Sequence, residues 1–308
     1  MAQPKIAFIL HGKRCPRGMP DDLLKVFAND FQVDIHITTS SVSAEEVAFQ
    51  AVRDGCVYLI AAGGDGTIHE VVNGVMRCPA ESRGHVAVGA LPLGSGNDFV
   101  RSIGMTGGIR ELRAMIRDEA VRAIDLGLAV VTEPDGGEKR VYFDNIASLG
   151  IGSAIVEKVN RRPSWLSASA AFHGAILSTL VTWRPQRMRV RVDGGEWIDG
   201  AFQAVCIANG RFFGSGLGVA PDARLDDGRF EVVLIRDAGA RDFVRFLPQL
   251  KKSQRIASPK IEYLSGGLVE VAGVGGAPSI EADGEHLGRG AVRFSVVPAA
   301  LRCLVRQT

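Results

Sequence analysis

The sequence predicts an α/β N-terminal domain on a parallel sheet, followed by a mainly antiparallel β C-terminal domain. Three observations predict it. Up to about Ala120, short apolar runs alternate with stretches of helical period, as βαβ units require. Beyond that point, period-two runs are punctuated by Asp-Gly turns. Between Val57 and Val75 an apolar run, a glycine cluster and an amphipathic stretch follow one another without a gap.

Taken in order, Lys5 to Leu10 reads as a strand, Asp21 to Phe31 as a helix and Val33 to Thr38 as a second strand. Ser43 with Glu46 forms a capping box ahead of a helix whose face is Val47, Ala48, Ala51 and Val52. Val57 to Ala62 is small or apolar throughout and suits a parallel strand buried on both faces. The helix after it has Ile68, Val71, Val72, Val75 and Met76 on one face, with Thr67 and Glu70 as its expected capping box. Gly63-Gly64-Asp65-Gly66-Thr67 lies between them. Glycines let main-chain N–H groups converge, and a helix N-terminus favours an anion, so phosphate is the natural guest. A tight turn without a ligand is the alternative. His85 to Leu91 is a further strand, and its exit, Pro92-Leu93-Gly94-Ser95-Gly96-Asn97-Asp98-Phe99, leads into another helix. If the two strands are neighbours, these loops form two walls of one pocket at strand C-terminal ends, with Thr67 and Ser95 hydroxyls as added donors.

In the second half, Arg187 to Val192 alternates strictly, and Asp193-Gly194-Gly195-Glu196 turns it into Trp197-Ile198. Asp135-Gly136-Gly137, Asp226-Asp227-Gly228 and Asp283-Gly284 punctuate β-rich runs such as Ala201 to Ala208, Glu231 to Ile235 and Arg293 to Val297. Ser164 to Trp183 lacks such punctuation and reads as a helix.

Composition narrows the class. With 308 residues, 46% hydrophobic and 23% charged, the chain is an ordinary globular protein with room for two domains. A net charge of +2 gives no general pull towards nucleic acid. Cys15, Cys56, Cys78, Cys206 and Cys303 form no C-x-x-C pair, so neither a disulfide framework nor a thiolate zinc site is expected, and a reducing cytoplasm fits. Neither a secretory signal nor a membrane span is expected. There is no G-x-x-x-x-G-K-[ST] and no G-x-G-x-x-G, and His69-Glu70-Val71-Val72-Asn73 lacks the second histidine of a zinc motif.

The motifs resemble a known family. Gly63-Gly64-Asp65-Gly66-Thr67 is the GGDGT motif of diacylglycerol, sphingosine, ceramide and NAD kinases and phosphofructokinases. Its continuation Ile68 to Gly74 and the run Pro92 to Phe99, similar to PLGTxNDF, look like the lipid-kinase branch. Ala208-Asn209-Gly210-Arg211, Pro221-Asp222-Ala223, Leu225-Asp226-Asp227-Gly228 and Asp283-Gly284-Glu285 follow in the family's order. The opening Ile9 to Lys13 and the ending Pro298 to Cys303 are most similar to bacterial YegS-type lipid kinases. Two positions depart from the pattern: His11 stands where that group has asparagine, and Ser95 replaces a threonine.

The resemblance implies a fold like that of the NAD and diacylglycerol kinases. Residues 1–125 would bind nucleotide and 126–295 would bind lipid and metal, with about 296–308 a candidate to return to the first domain. It implies ATP contacts at Thr38, at Gly63 and Gly64 through Glu70 (Asp65, Gly66, Thr67, Ile68 and His69 included) and at Ser95. It also implies a Mg2+ site, with Ca2+ as an option, from the Asp227 carboxylate and the carbonyls of Arg224 and Arg229, and Glu285 as the proton acceptor.

The chemistry is consistent in outline. Phosphoryl transfer needs positioning and charge stabilisation, and Asp65 and Asp98 are placed to hold metal through water. An ordinary glutamate titrates near ~4.3 and is a weak base for an alcohol, so Asp283 is a candidate neighbour to raise Glu285. Turn residues at Asp227 and a plain hairpin tip at Glu285 are the alternatives. Arg161, Arg162 and Trp165 precede the apolar stretch Leu166 to Val181, a layout that suits an anionic bilayer surface or, equally, a domain-packing helix. The expectation is an ATP-dependent lipid kinase acting on phosphatidylglycerol or diacylglycerol. It would be cytoplasmic and peripheral to the inner membrane, without nucleic acid, and a homodimer is an open option. A soluble-substrate kinase of the NAD-kinase type and a nucleotide-responsive lipid-binding protein are the alternatives.

Overall fold

A computed structural model describes residues 3–133, 136–160 and 168–306. The chain divides into two compact units, Met1–Ile124 with Ala299–Thr308, and Asp125–Pro298.

Unit 1 starts with β1 (Lys5–Leu10), α1 (Met19–Phe27), β2 (Gln32–Ile37), α2 (Ala44–Arg53), β3 (Cys56–Gly63) and α3 (Asp65–Met76). A single turn α4 (Ala80–Arg83), then β4 (Ala87–Pro92), α5 (Asp98–Ser102) and α6 (Ile109–Arg117) follow. The strands run parallel in the order β2-β1-β3-β4. Residues 6–10 of β1 and 59–62 of β3 are fully buried, as apolar runs covered on both faces should be. The chain moves from β1 to β2 on one side and then to β3 on the other, so the β1/β3 boundary is a topological switch point, where ligands of such sheets sit.

Three local expectations need correction. Helix α1 ends at Phe27, not Phe31; Phe31 leaves the helix to stack edge-on with Tyr58 at 5.8 Å. Strand β4 starts at Ala87, two residues after His85. Helix α3 starts at Asp65, with Gly64 as its N-cap in extended conformation (φ −104°, ψ −172°). Thr67 is therefore inside the first turn, and its amide and that of Ile68 donate to the Gly64 carbonyl at 2.9 and 3.2 Å. Glycine is acceptable at an N-cap and lets the helix begin directly off the strand. Glu70, free of any box, accepts from the Ala44 amide at 2.8 Å and so helps to cap α2. At α2 Ser43 is the N-cap as expected, its hydroxyl accepting from the Glu46 amide at 3.2 Å, while the Glu46 carboxylate pairs with Arg77 at 2.9 Å instead of closing the box.

Unit 2 is built from β5 (Val121–Thr132), β6 (Glu138–Phe143), β7 (Ile146–Gly150), α7 (Ile151–Asn160), α8 (Ala168–Thr182), β8 (Gln186–Val192) and β9 (Ile198–Ala208). The short pair β10 (Phe212–Phe213) and β11 (Leu217–Gly218) leads to β12 (Phe230–Arg236) and α9 (Ala240–Lys251). Then come β13 (Ile261–Gly266), β14 (Leu268–Gly273), β15 (Ser279–Ala282), β16 (Glu285–Arg289) and β17 (Val292–Leu304). Pairings among β7, β8, β9, β12, β13, β14, β15 and β16 are antiparallel. The first residues of β17 pair with β14, whereas Arg302 and Cys303 lie beside β4 of unit 1. Asp135, Arg161, Arg162, Trp165 and the start of the Leu166–Val181 stretch lie outside the described residues.

Period two gives unit 2 two hydrophobic layers from the same strands. Val205 and Ile207 of β9 and Val232 and Leu234 of β12 enter a core with Phe143, Phe230 and Phe294, where Phe143 stacks on Phe230 at 5.7 Å. Ala204, Cys206 and Ala208, with Val233, face the opposite way, towards Ile151 and Ile155 of α7 and Ile176 of α8. The sheet is thus covered on both faces, and α7 to α9 are held by apolar contact.

Candidate active site

In unit 1 the two glycine loops lie side by side, because β3 and β4 are neighbours with Gly63 opposite Pro92. A Cβ on Gly64 would stand 3.2 Å from Gly94 Cα, and one on Gly94 would collide with Gly64, so both positions need the absent side chain. Asp65 fastens the loops: its Oδ1 accepts from the Asp98 amide at 2.8 Å and the Phe99 amide at 3.3 Å. Asn97 adopts a left-handed conformation (φ 53°), which asparagine tolerates, and its Nδ2 donates to the Gly94 carbonyl at 2.9 Å. The second oxygens of Asp65 and Asp98 both face Gly96, 2.7 and 3.6 Å from a Cβ placed there. The paired loops thus bring together two carboxylates and the exposed Ser95.

Other expected nucleotide residues fall into two groups. Thr38 caps β2, and its hydroxyl accepts from the Gly12 amide at 3.3 Å, bringing the first loop over the switch point. Ile68 and His69 are buried, as is Thr67, whose side chain lies against Gly63, so any contact of theirs with a nucleotide is through the main chain or the Thr67 hydroxyl. Glu70 is committed to Ala44. His11 folds back, its Nδ1 accepting from the Lys13 amide at 3.3 Å. One residue escaped the sequence reading: Arg14 Nη1 lies 3.1 Å from a Cβ on Gly64, a guanidinium held over the glycine loop.

In unit 2, Asp283 and Gly284 both have positive φ (51° and 86°) and join β15 to β16 as a two-residue turn, with Ala282 opposite Glu285. This is the left-handed pair that an Asp-Gly hairpin favours. Asp283 anchors the turn, its carboxylate accepting from the amides of Asp144, Asn145 and Ile146 at 3.0 to 3.1 Å. Asn209, fully buried, extends the clamp by donating to the carbonyls of Asp125 and Asp144 at 2.9 and 2.8 Å. Glu285 itself is exposed.

The Asp227 turn suits a hard cation, which takes oxygen ligands. Besides Asp227 and the carbonyls of Arg224 and Arg229, it has a buried carboxylate beneath it, Asp125, whose Oδ2 accepts from the Gly228 amide at 2.7 Å. The two guanidiniums are turned elsewhere: Arg224 Nε lies 3.6 Å from Asp226, and Arg229 binds the Ser265 hydroxyl and carbonyl at 2.9 and 2.8 Å. Asp227 Oδ1 also accepts from the Arg229 amide at 3.0 Å. Among the described residues no three His, Cys, Asp or Glu side chains gather as a metal cluster.

Unit 2 also holds an apolar cavity, open on one side, between the sheet and helices α7 to α9. Ile155, Leu180, Phe213, Val233 and Phe243 are among its walls, none of the described lining residues is charged, and Ser148 is one of the few polar ones. Ser148 Oγ donates to Glu281 at 2.5 Å. Glu281 is fully buried, and burial pushes its carboxyl from 4.5 up to about 7, with Asp283 and Glu285 adding to the rise and the Ser148 and Gly284 hydrogen bonds opposing it.

The value is raised on folding, so the associated stability is full below the unfolded value and is lost as pH rises through about 7. The loss is on the order of 3 kcal/mol at about 1.4 kcal/mol per pKa unit. The melting temperature should therefore fall by roughly 5 °C more between about pH 5 and pH 8 in the wild type than in Glu281→Gln. Thermal melts across that range check it, and parallel curves would refute it.

Residues 11–129 match the diacylglycerol kinase catalytic domain, and residues 145–305 match the YegS C-terminal NAD kinase beta sandwich-like domain. The chain is 29% identical over 305 residues to a "Probable lipid kinase YegS-like" of Pseudomonas aeruginosa, covering 98% of this chain and 94% of that protein. It is 28% identical over 260 residues to a diacylglycerol kinase of Bacillus subtilis, covering 84% and 80%. The fold is shared with the crystal structure of a diacylglycerol kinase from Bacillus anthracis, at a TM-score of 0.73 and 18% identity over 98% and 97% of the two chains. With both domain models matched in order along the chain, this protein belongs to the YegS-type lipid kinases of the diacylglycerol kinase catalytic-domain family.

Proposed function

We propose that the protein transfers the γ-phosphate of ATP to a free hydroxyl of a membrane lipid of the phosphatidylglycerol or diacylglycerol type. The observation that carries the lipid over a soluble acceptor is the cavity of unit 2, whose described walls are uncharged and mostly apolar and so offer an acyl chain an apolar surround. Helix α8 lines it with Ile176 and Leu180 while exposing Leu177 and Val181, which supports contact with a membrane surface when the enzyme acts. None of the described helices is long and apolar enough to cross a membrane.

The nucleotide phosphates lie on the paired glycine loops, where Gly64 and Gly94 admit close approach, Ser95 donates a hydroxyl, and Arg14 adds positive charge. Asp65 and Asp98 face the same space and would hold Mg2+ through water; the Asp227 turn would hold a second Mg2+ or Ca2+. Bound there, the cation offsets charge on the transferring phosphoryl group. Glu285 takes the proton of the lipid hydroxyl as its oxygen attacks the γ-phosphorus and the bond to the β,γ-bridging oxygen breaks, leaving ADP. Asp283, engaged with three amides, holds the turn.

Radiolabelled ATP offered with phosphatidylglycerol and diacylglycerol in mixed micelles, and separately with NAD, tests the reading. Label in a lipid is the expected result. Label in NAD alone would replace it with the NAD-kinase type, and label nowhere would favour the nucleotide-responsive binding protein.

A further inference from the structure

Glu281 is a buried carboxylate that the proposed chemistry does not use. It sits in β15, opposite Ser148 of β7 and His286 of β16, and is fully buried. One carboxylate oxygen accepts from Ser148 Oγ and the other accepts from the Gly284 amide at 3.1 Å. Room for the pair is made by Gly152 at the start of α7: a Cβ there would collide with Ser148 Oγ and lie 3.3 Å from Glu281 Oε1. Three elements are thus shaped around one side chain.

Gly284 is the second residue of the left-handed turn, and Glu285 follows it directly. Asp283 fixes the entry to that turn through three amides, but none of those bonds reaches the central peptide of the turn, between Asp283 and Gly284. The bond from Gly284 to Glu281 does. The register shifts between Ile280 and Glu281, so the regular ladder at the tip is short, Glu281 opposite His286 and Ala282 opposite Glu285, and the side-chain bond reinforces it.

We propose that Glu281 is a positioning residue for phosphoryl transfer: by holding the Gly284 amide, with Ser148 as its own support, it sets the direction in which Glu285 leaves the turn. The inference rests on Glu285 acting as the base. What matters in this role is reach to Gly284, so an amide of the same length serves and a shorter carboxylate does not. A glutamine can accept from Gly284 through Oε1 and donate to Ser148 Oγ through Nε2.

The test compares wild type, Glu281→Gln and Glu281→Asp in the lipid transfer assay, each at a temperature well below its own melting point. Glu281→Gln should keep kcat within about threefold of wild type, while Glu281→Asp should lose at least about tenfold in kcat with KM for ATP and lipid nearly unchanged, because misdirecting a base acts on the chemical step. Full activity in Glu281→Asp would overturn the proposal, and so would a glutamine variant as poor as the aspartate one. Should the aspartate variant fail to fold, hydrogen exchange of the Gly284 amide in the wild type decides: protection supports the bond, and exchange at the rate of an open turn overturns it. Wild-type protein that labels no lipid would refute the kinase reading itself, which is a separate outcome.

Discussion

Glu285→Gln should abolish lipid phosphorylation, lowering kcat by ~10²- to 10⁴-fold, the usual contribution of a positioned general base. Its nucleotide affinity should stay within about twofold of wild type. The amide has the shape of the carboxylate and can still accept a hydrogen bond, but it cannot carry away the proton of an attacking alcohol. The turn itself should be unaffected, since its left-handed residues are Asp283 and Gly284 and its anchoring bonds belong to Asp283 and Glu281. Calorimetric ATP binding measured beside the transfer assay separates the two effects. Full activity would remove Glu285 from the mechanism.

Asp65→Ala should fail earlier, at nucleotide binding, with affinity for ATP reduced by on the order of 100-fold. Asp65 Oδ1 is the acceptor for the first two amides of α5, a helix of five residues otherwise anchored by the buried side chains of Phe99 and Val100. Without it those donors lose their partner, and the loop carrying Ser95 is free to leave its neighbour. Unit 1 should still fold, because the apolar strands of its sheet and the buried Phe99 and Val100 are left in place. Asp65→Asn makes the informative contrast. Its amide oxygen can still accept from Asp98, so ATP should bind in the absence of magnesium, while transfer in its presence should fall sharply if Asp65 also holds the cation through water. Equal affinity for ATP in wild type and Asp65→Ala would show that the loop needs no such tie.

The parallel strands of unit 1 were legible because burial on both faces writes itself as uninterrupted apolar runs, such as Ile6 to Leu10. Caps were legible only in part. Ser43-x-x-Glu46 and Thr67-x-x-Glu70 have the same pattern, yet only Ser43 is an N-cap. Which residue ends up outside the helix depends on how the chain arrives, and a glycine running straight off β3 takes the cap before Thr67 can. The pairing of the two glycine loops required β3 and β4 to be neighbours, a tertiary fact that no local pattern contains.

Glu281 was passed over for a related reason. In a strand that alternates, a glutamate two residues before Asp-Gly looks like an outward position, and its burial follows only from the arrival of β7 and α7. Asp283 was read as an electrostatic neighbour of Glu285, whereas three main-chain donors give it a structural post. The cavity was invisible because its walls come from residues as far apart in the chain as Ser148 and Tyr263.

The two-layer arrangement of β9 and β12 separates what a lineage can vary. Even-numbered residues of β9, Ala204 and Cys206, and odd-numbered residues of β12, Val233 and Ile235, shape the cavity, while Val205, Ile207, Val232 and Leu234 hold the sheets together. Neighbouring codons therefore govern different traits. Enlarging or filling the cavity by substitutions at the first set would retune which guests it accepts and leave the aromatic core around Phe143 intact, so divergence in specificity need not pass through unstable intermediates.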